Sequence, residues 1–217
     1  MNLFIDIETL PDQRPDAFKN ILNTVEPPAN YKKAESIQKW KDEQGESVAQ
    51  ETYRKTALKG IAGEVLSIAW ALDDGEIEGL LRMPGESEAD LLSKFFKSVY
   101  RQLDHGHSRL TWIGHNVIEF DLRFIKQRCL VNDVRPSFVI PADAKHGNVV
   151  FDTMREWCGW KGYVSQQALC DAFGIDGKSD MTGADVYDEY LAGNYKKILD
   201  YNKDDVRIVR ELFQRMT

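Results

Sequence analysis

Cysteine, long apolar runs and excess positive charge are all scarce in this sequence, and each shortage argues against a class of protein. The 217 residues contain three cysteines, Cys129, Cys158 and Cys170, and four histidines. An odd number of cysteines without metal-type spacing argues against a disulfide framework and a zinc site. We therefore expect free thiols in a reducing compartment.

No segment has the character of a membrane span or a leader. The longest apolar run, Val65 to Leu72, is interrupted by Ser67 and is far shorter than the roughly 18 residues that cross a bilayer. Residues 1–30 lack a basic head followed by an apolar core, so we expect no secretory signal. A cytoplasmic protein without a membrane partner is the resulting expectation.

Acidic residues outnumber basic ones. Asp and Glu total 35 against 28 Lys and Arg, which gives a net charge of −7. This balance argues against a protein that holds nucleic acid by bulk electrostatics, but it allows an enzyme that meets phosphates through bound metal ions. With 42% hydrophobic and 29% charged residues, the chain suits one sizeable globular domain.

The segment from Leu3 to Thr9 combines apolar residues with two acids. Its apolar content, with Pro11 just beyond, predicts a buried strand. Because strand side chains alternate faces, Asp6 and Glu8 project from one side, about 6.5–7 Å apart. Two buried carboxylates repel each other and lose hydration, a penalty that a divalent cation removes. A frayed strand end in water is the alternative.

The last predicted helix, Asn194–Met216, carries an acid within an apolar stripe. At about 100° per residue, Tyr201 and Asp205 lie one turn apart on the apolar face, whereas Asp204 is rotated onto the flank. A carboxylate on a core-facing stripe is costly unless it is paired or binds a metal. An ion pair with a buried Arg or Lys is the alternative. The stripe consists of Ile198, Ile208, Val209 and Leu212.

A second buried acid is expected after Gly114. We predict a helix from Ile118 to Cys129, whose apolar residues cover so much of its surface that Asp121 faces the core. Asn116, just before this helix, is either its cap or a contact to substrate. His115 is expected to be a packed or hydrogen-bonded structural residue.

The remaining pattern predicts one α/β domain with a mixed sheet. A proline-rich segment of mixed charge at about residues 12–60 is interpreted as a solvated helical insertion, with a substrate clamp as the alternative. Asp73–Gly75 predicts a hairpin turn. Strands are predicted at Glu64–Leu72, Ile77–Arg82, Leu110–Gly114 and Val149–Thr153, and helices at Glu88–Leu103, from a Ser165 cap to Phe173, and at Gly183–Ala192.

The acids can serve one metal-dependent site. Asp6 and Glu8 lie on a strand. Asp121 and Asp205 are each expected to be buried on a helix, and Tyr201 lies one turn before Asp205. Hard oxygen ligands in this number suit Mg²⁺ or Mn²⁺. Two such cations about 3.5–4 Å apart stabilise the attacking and leaving oxygens of an in-line phosphoryl displacement.

Three motifs resemble the exonuclease motifs of the DEDD superfamily: Asp6-Ile7-Glu8-Thr9, Asn116-x-x-x-Phe120-Asp121 and Tyr201-x-x-x-Asp205. The tyrosine is typical of the DEDDy branch. The spacing of the second motif resembles the proofreading exonuclease domain of family B DNA polymerases. The motifs span residues 6–205, and the chain is too short to contain a polymerase.

The resemblance implies a fold and a reaction. The fold is RNase H-like, with a central five-stranded mixed sheet flanked by helices, in a single exonuclease domain over residues 1–217. The reaction is metal-dependent 3′→5′ hydrolysis of terminal phosphodiester bonds in single-stranded DNA, which releases nucleoside 5′-monophosphates. A replication or repair partner is consistent with this activity.

The resemblance also implies roles for individual residues. Asp6, Glu8 and Asp205 would hold the cation that activates the attacking water. Asp6, with Asp121 through water, would hold the second cation at the leaving 3′ oxygen. Tyr201 would hydrogen-bond and orient the attacking water, acting directly or indirectly in its deprotonation.

Contacts to the terminal nucleotide are implied for Asn116, Phe120 and the turn at Thr9-Leu10. Lys178 is expected either to reach a substrate phosphate or to be an ordinary surface lysine. Asp152, at the end of a predicted strand, is expected to cap a helix or to support the site from behind.

Other functions on the same fold stay open at this point. An RNA-trimming exonuclease would use the same acids, and so would a structure-selective endonuclease. A non-catalytic module that binds nucleic acid or a polymerase would predict decay of the acidic set, which is intact here. DNA or RNA preference, pathway and oligomeric state are not set by the motifs.

Overall fold

The computed structural model describes residues 1–103, 109–177 and 180–217. The chain divides into two compact units, one formed by Met1–Thr9 with Val65–Thr217 and the other by Leu10–Glu64. In chain order, the elements are β1 (Asn2–Leu10), α1 (Ala17–Thr24), α2 (Ala34–Trp40), a π-helical turn (Lys41–Gly45), α3 (Glu46–Arg54), a 3₁₀ turn (Lys55–Leu58), β2 (Glu64–Leu72), β3 (Glu78–Leu81), α4 (Glu88–Gln102), β4 (Thr111–Gly114), α5 (Asp121–Val131), β5 (Val150–Asp152), α6 (Thr153–Cys158), α7 (Gln166–Phe173), α8 (Val186–Leu191) and α9 (Tyr195–Met216).

The described strands form one mixed sheet of five, in the order β3-β2-β1-β4-β5. β4 runs parallel to both β1 and β5, with Ile113 of β4 level with Phe4 on one side and Phe151 on the other. β2 and β3 are antiparallel, with Ile68 opposite Leu80. The predicted five-stranded mixed sheet is confirmed, and the strand that carries the first acids is its middle strand.

The two faces of β1 pack against different helices. Leu3, Ile5 and Ile7 belong to the large hydrophobic cluster that includes residues of α4 and α5. Phe4 belongs to a second cluster, with Val206 of α9. Because side chains alternate along a strand, the face that begins with Phe4 is the one that continues through Asp6 and Glu8.

Side-chain caps and a glycine set the ends of two helices where the sequence predicts them. The hydroxyl of Ser87 accepts from the Asp90 amide (3.1 Å) at the start of α4, and that of Ser165 accepts from the Ala168 amide (3.2 Å) at the start of α7. α7 ends at Gly174 in the left-handed conformation, which costs glycine little. No helix in the described ranges is both long and apolar enough to cross a bilayer.

The predicted start of α5 is wrong by one turn, because this helix begins at Asp121 instead of Ile118. Asn116 has a left-handed backbone (φ 59°). The amides of Asn116 and Ile118 donate to the two carboxylate oxygens of Asp152 (3.0 and 3.1 Å). These amides are therefore satisfied outside a helix, by a residue that is distant in sequence.

The unit Leu10–Glu64 is helical and has aromatic contacts of its own. Phe18 packs edge-on against Tyr53 with 5.8 Å between ring centroids. Tyr31 lies 6.4 Å from Trp40, which is buried. α1, α2 and α3 all lie in this unit, so the helical character predicted for residues 12–60 is present.

Candidate active site

The first two acids lie on the face of β1 that leads toward α9. Asp6 and Glu8 follow Phe4 at alternate positions, and Phe4 packs with Val206 and Val209 of α9. The side chain of Glu8 belongs to the buried interior, with 7% of the residue exposed. The alternative of a frayed strand end in water is therefore wrong.

α9 contributes a phenol and a third acid at the same place. Tyr201 and Asp205 are buried, whereas Asp204 is partly exposed and pairs with Arg207 (2.6 Å). The helical period predicts this difference, because it places Asp205 on the buried face of α9 and Asp204 on the flank. One carboxylate oxygen from each of Asp6, Glu8 and Asp205 lies within 4.8 Å of the other two; we call these three residues the carboxylate cluster.

Asp121, in the first turn of α5, contacts the backbone of the strand that carries Asp6 and Glu8. Its Oδ1 accepts a hydrogen bond from the backbone amide of Ile7 (3.1 Å), the residue between Asp6 and Glu8. Burial raises the pKa of Asp121 to about 8, and the negative charges of Asp152 and Asp205 contribute in the same direction. The fourth acid thus lies in an environment that disfavours its ionised form.

Burial and the three acids of the carboxylate cluster all act on the phenol of Tyr201. Burial is the largest cause that raises the pKa of Tyr201 above its ordinary value, followed by the charges of Asp205, Glu8 and Asp6. A hydrogen bond to the Asp205 side chain acts in the same direction. The phenol therefore keeps its proton at neutral pH in the metal-free protein.

The electrostatics of these residues fit a divalent cation. Burial is the largest cause of the raised pKa of Asp121 and of Tyr201, and repulsion by the neighbouring carboxylates adds to it. A bound cation reverses that repulsion. Because the donors are all carboxylate oxygens, they suit a hard cation.

The residues implied to contact a nucleotide occupy different settings. Thr9 and Leu10 are the last two residues of β1 and do not form a turn, and Leu10 is fully buried. Phe120 is half-buried, with its ring 5.4 Å from that of Phe124. Lys178 lies outside the described residues.

Asn116 is not the N-cap of α5. Phe120 is the N-cap residue, and its side chain makes no capping hydrogen bond. The carboxylate of Asp152 makes two sets of contacts, one with α6 and one with the loop that contains Asn116. It caps α6 by accepting from the amides of Met154 and Arg155, and it also holds the loop of Asn116 that leads to Asp121. The predicted helix cap is confirmed, and the same carboxylate shapes the approach to the fourth acid.

His115 is hydrogen-bonded, as predicted. Its Nδ1 lies 2.9 Å from the Thr153 hydroxyl and its Nε2 lies 3.0 Å from the Val164 carbonyl oxygen. These contacts connect the segment after β4 to the start of α6 and to the loop before α7.

Two residues beside the carboxylate cluster were missed from the sequence. The side-chain amide of Asn202 donates to Asp6 Oδ2 (2.7 Å), and its oxygen accepts from the Ser67 hydroxyl (2.7 Å). Gln166 donates to the backbone carbonyl of Asp205 (3.0 Å). Asn202 carried a signal, since it is a polar residue on the apolar stripe of α9; Gln166 carried none.

A cleft of about 810 Å³ adjoins Tyr201. Its volume falls in the range of about 300–1,000 Å³ that is common for sites of small ligands. The cleft therefore has room for a nucleotide-sized group next to the phenol. Its lining includes Met181, Tyr195, Lys197, Asp200 and Asp204.

Comparisons with known proteins agree with this geometry. A family model described as a predicted 3′-5′ exonuclease related to the exonuclease domain of PolB matches residues 52–217. The matched range contains Asp121, Tyr201 and Asp205, and it begins after Asp6 and Glu8. A search of curated proteins finds no match to the chain.

A solved family B DNA polymerase from the hyperthermophilic archaeon Pyrobaculum calidifontis has a similar fold. The TM-score is 0.57 at 14% identity, and the alignment covers 99% of this chain and 24% of the polymerase. This likeness supports the predicted RNase H-like arrangement of a mixed sheet flanked by helices. With the family match over residues 52–217, the chain belongs to the family of predicted 3′-5′ exonucleases related to the exonuclease domain of PolB.

Proposed function

We propose that this protein is a metal-dependent 3′→5′ exonuclease that hydrolyses the terminal phosphodiester bonds of single-stranded DNA and releases nucleoside 5′-monophosphates. The observation that carries the proposal is the carboxylate cluster, in which oxygens of Asp6, Glu8 and Asp205 lie within 4.8 Å of one another. Membership of a family of predicted 3′-5′ exonucleases supports the same reaction class.

Two divalent cations, Mg²⁺ or Mn²⁺, complete the proposed site. Asp6, Glu8 and Asp205 would hold one cation, and Asp6 with Asp121 would hold the other. Paired cations stabilise the charge on both the attacking and the leaving oxygen of the phosphoryl group. The raised pKa of Asp121 fits this role, because a bound cation would favour its ionised form.

Tyr201 acts as a hydrogen-bond donor in this proposal. The phenol would hydrogen-bond and orient the attacking water, and it would act directly or indirectly in the deprotonation of that water. Asn202 holds Asp6 through the 2.7 Å bond from its side-chain amide, which fixes the direction of one carboxylate.

The proposed substrate contacts follow the motif positions. Asn116, Phe120, Thr9 and Leu10 would meet the terminal nucleotide, and Lys178 a phosphate. For Leu10, whose side chain is fully buried, the contact would come from the backbone. An unpaired strand is favoured because a terminus must leave a duplex to reach acids that are buried.

The proposed domain organisation is a single exonuclease domain with an insertion. The unit Leu10–Glu64 separates Met1–Thr9 from Val65–Thr217 along the chain. The acids of the proposed site all lie in the unit that is interrupted, so we assign catalysis to that unit.

The test is a digestion of oligonucleotides labelled at the 5′ end, as matched DNA and RNA, with Mg²⁺, with Mn²⁺ and with a chelator. The proposal predicts a ladder that shortens from the 3′ end of DNA and free mononucleotides, only with the cation. Preferential digestion of RNA would indicate an exoribonuclease. Internal cuts would indicate an endonuclease, and binding without product would indicate a non-catalytic module.

A further inference from the structure

Large aromatic side chains face solvent at the end of α6 and in the segment between α6 and α7. Trp157, Trp160 and Tyr163 are 54%, 59% and 78% exposed. The other tryptophans, Trp40, Trp70 and Trp112, are buried. Exposed apolar groups that cluster in one place commonly mark an interaction site.

The backbone of this segment is held in place while its rings stay exposed. Arg155 donates from Nη1 to the carbonyl of Trp160 (2.7 Å), and the carbonyl of Val164 lies 3.0 Å from Nε2 of His115. Ser165 then caps α7. Rings on an anchored backbone lose little freedom when a ligand binds, which favours affinity.

The segment borders the carboxylate cluster. Gln166 donates to the carbonyl of Asp205 (3.0 Å), and His115 is the neighbour of Asn116 in the second motif. Tyr163 precedes Gln166 by three residues, so their Cα atoms are at most about 11 Å apart. A strand whose 3′ end lies at the carboxylate cluster is therefore within reach of these rings.

We propose that Trp160, Lys161 and Tyr163, with Trp157 beside them, form a platform for single-stranded nucleic acid, on which the unpaired bases upstream of the 3′ end stack. Every base has a flat face, so aromatic stacking binds single strands without sequence preference. Lys161 is exposed and forms no ion pair with a described residue, which leaves its ammonium for a phosphate.

Stacking also suits the charge of this protein. With a net charge of −7, the chain gains little from bulk attraction to phosphates, so contacts to base faces are the more effective source of affinity. The platform rests on the proposed function, because it supplies the strand that the exonuclease shortens. It goes further by assigning the upstream strand to specific residues outside the three motifs.

Binding is measured by quenching of tryptophan fluorescence in a chelator, which prevents hydrolysis. The probes are single-stranded DNA and RNA of about 12 nucleotides, a length within the range of sites in single-strand-binding modules, and a blunt duplex. We expect Trp160→Ala and Tyr163→Ala each to weaken single-strand binding about tenfold, and Trp160→Phe to restore it. Tyr100→Ala, at a 47% exposed tyrosine on α4, is the matched control and should bind like the wild type.

Because the Trp160 variants lack one of the tryptophans that report binding, the same titration is repeated for all proteins by fluorescence anisotropy of a labelled strand. Equal affinity of the wild type and the Trp160→Ala/Tyr163→Ala double variant for single strands would overturn the platform. The platform would also be overturned if duplex binding depended on the two rings as strongly as single-strand binding does, because the faces of paired bases are not accessible to the rings.

The kinetic readout separates this proposal from the proposed function. With Mn²⁺, the double variant should show a raised KM for the long strand, an unchanged kcat, and unchanged cleavage of a dinucleotide, which is too short to reach the rings. If the wild type releases no mononucleotide but binds strands through the rings, the platform stands and the exonuclease proposal fails. If hydrolysis is normal and the double variant has an unchanged KM, the platform fails and the exonuclease proposal stands.

Discussion

Two groups of buried acids in this protein are treated in opposite ways. Glu88 is buried and faces Arg128, which donates to it from Nε (2.9 Å) and Nη2 (2.6 Å). Asn132 and the amide of Val65 also donate to Glu88 (both 2.7 Å). The carboxylate of Glu88 therefore receives a cation and further donors from the chain itself.

In the carboxylate cluster, oxygens of three acids lie within 4.8 Å of one another. After burial, the negative charges of Asp152 and Asp205 raise the pKa of Asp121, and those of Asp205, Glu8 and Asp6 raise the pKa of Tyr201. A buried acid with its own arginine stabilises a fold, whereas buried acids that face one another are suited to receive a cation from solution. The comparison predicts different effects of substitution at the two places.

The largest expected effect is on catalysis. Asp205→Asn should lower mononucleotide release about 10³-fold or more, because it removes a carboxylate that holds charge at the reacting phosphate, about 4 kcal/mol of transition-state stabilisation. The control is Glu211→Gln, which removes another acid of α9 that pairs with Arg207 (2.7 Å); its activity should be unchanged within about threefold. A fully active Asp205→Asn protein would refute the assignment of the site.

The next effect is on stability. Glu88→Gln should lower the free energy of unfolding by about 3–5 kcal/mol, because it leaves the buried charge of Arg128 uncompensated. Urea unfolding measures this change, and the folded fraction should keep its activity. Glu51→Gln, which breaks the exposed pair with Lys55, should leave the urea midpoint unchanged. Equal midpoints for wild type and Glu88→Gln would remove the contrast between the two groups of acids.

Asp121 should make the metal-free protein less stable as pH rises. Its folded-state pKa of about 8 lies above the unfolded value of about 3.9. The folded state therefore retains a proton that the unfolded state releases, and stability declines between about pH 4 and pH 8. Asp121→Asn should remove this part of the decline, so that its advantage over the wild type grows with pH in a chelator.

This pH dependence is measured by thermal unfolding in a series of buffers, with and without Mg²⁺. The advantage of Asp121→Asn should shrink when the cation is present, because the cation favours the ionised carboxylate of the wild type. An advantage that is constant with pH would show that Asp121 is ionised without a cation.

A smaller effect is expected at Asn202. Asn202→Ala removes the donor to Asp6 Oδ2, and losses of this kind lower metal affinity or activity by about 10–100-fold. Ser67→Ala removes a contact one step farther from the acid and should have a weaker effect. Measuring activity as a function of Mn²⁺ concentration distinguishes the two variants. Identical activity curves for Asn202→Ala and wild type would contradict the proposed positioning of Asp6 by Asn202.

The parts of the site that follow a regular period were predictable. Alternation along β1 placed Asp6 and Glu8 on one face, and the helical period of α9 separated Asp205 from Asp204. Both predictions depend only on neighbours in sequence and on which residues are apolar. The order of the predicted strands, with one hairpin among them, likewise predicted the mixed sheet. The hairpin was recognisable because turn residues such as Asp73–Gly75 act locally.

The parts that depend on distant partners were not predictable. α5 starts late because Asp152, 36 residues from Asn116, takes the amides that would begin a helix. The contact of Gln166 with the backbone of Asp205 follows from packing that no local pattern reports. The exposure of Trp160 and Tyr163 is also a tertiary property, since aromatic residues in a short segment are more often buried.

The most direct test of the contrast between the two groups of acids is a Mn²⁺ titration followed by electron paramagnetic resonance, on the wild type, Asp205→Asn and Glu88→Gln. We predict about two bound ions per wild-type chain, weaker binding and fewer ions for Asp205→Asn, and wild-type binding for folded Glu88→Gln. Absence of Mn²⁺ binding by the wild type, or equal binding by Asp205→Asn, would contradict the account.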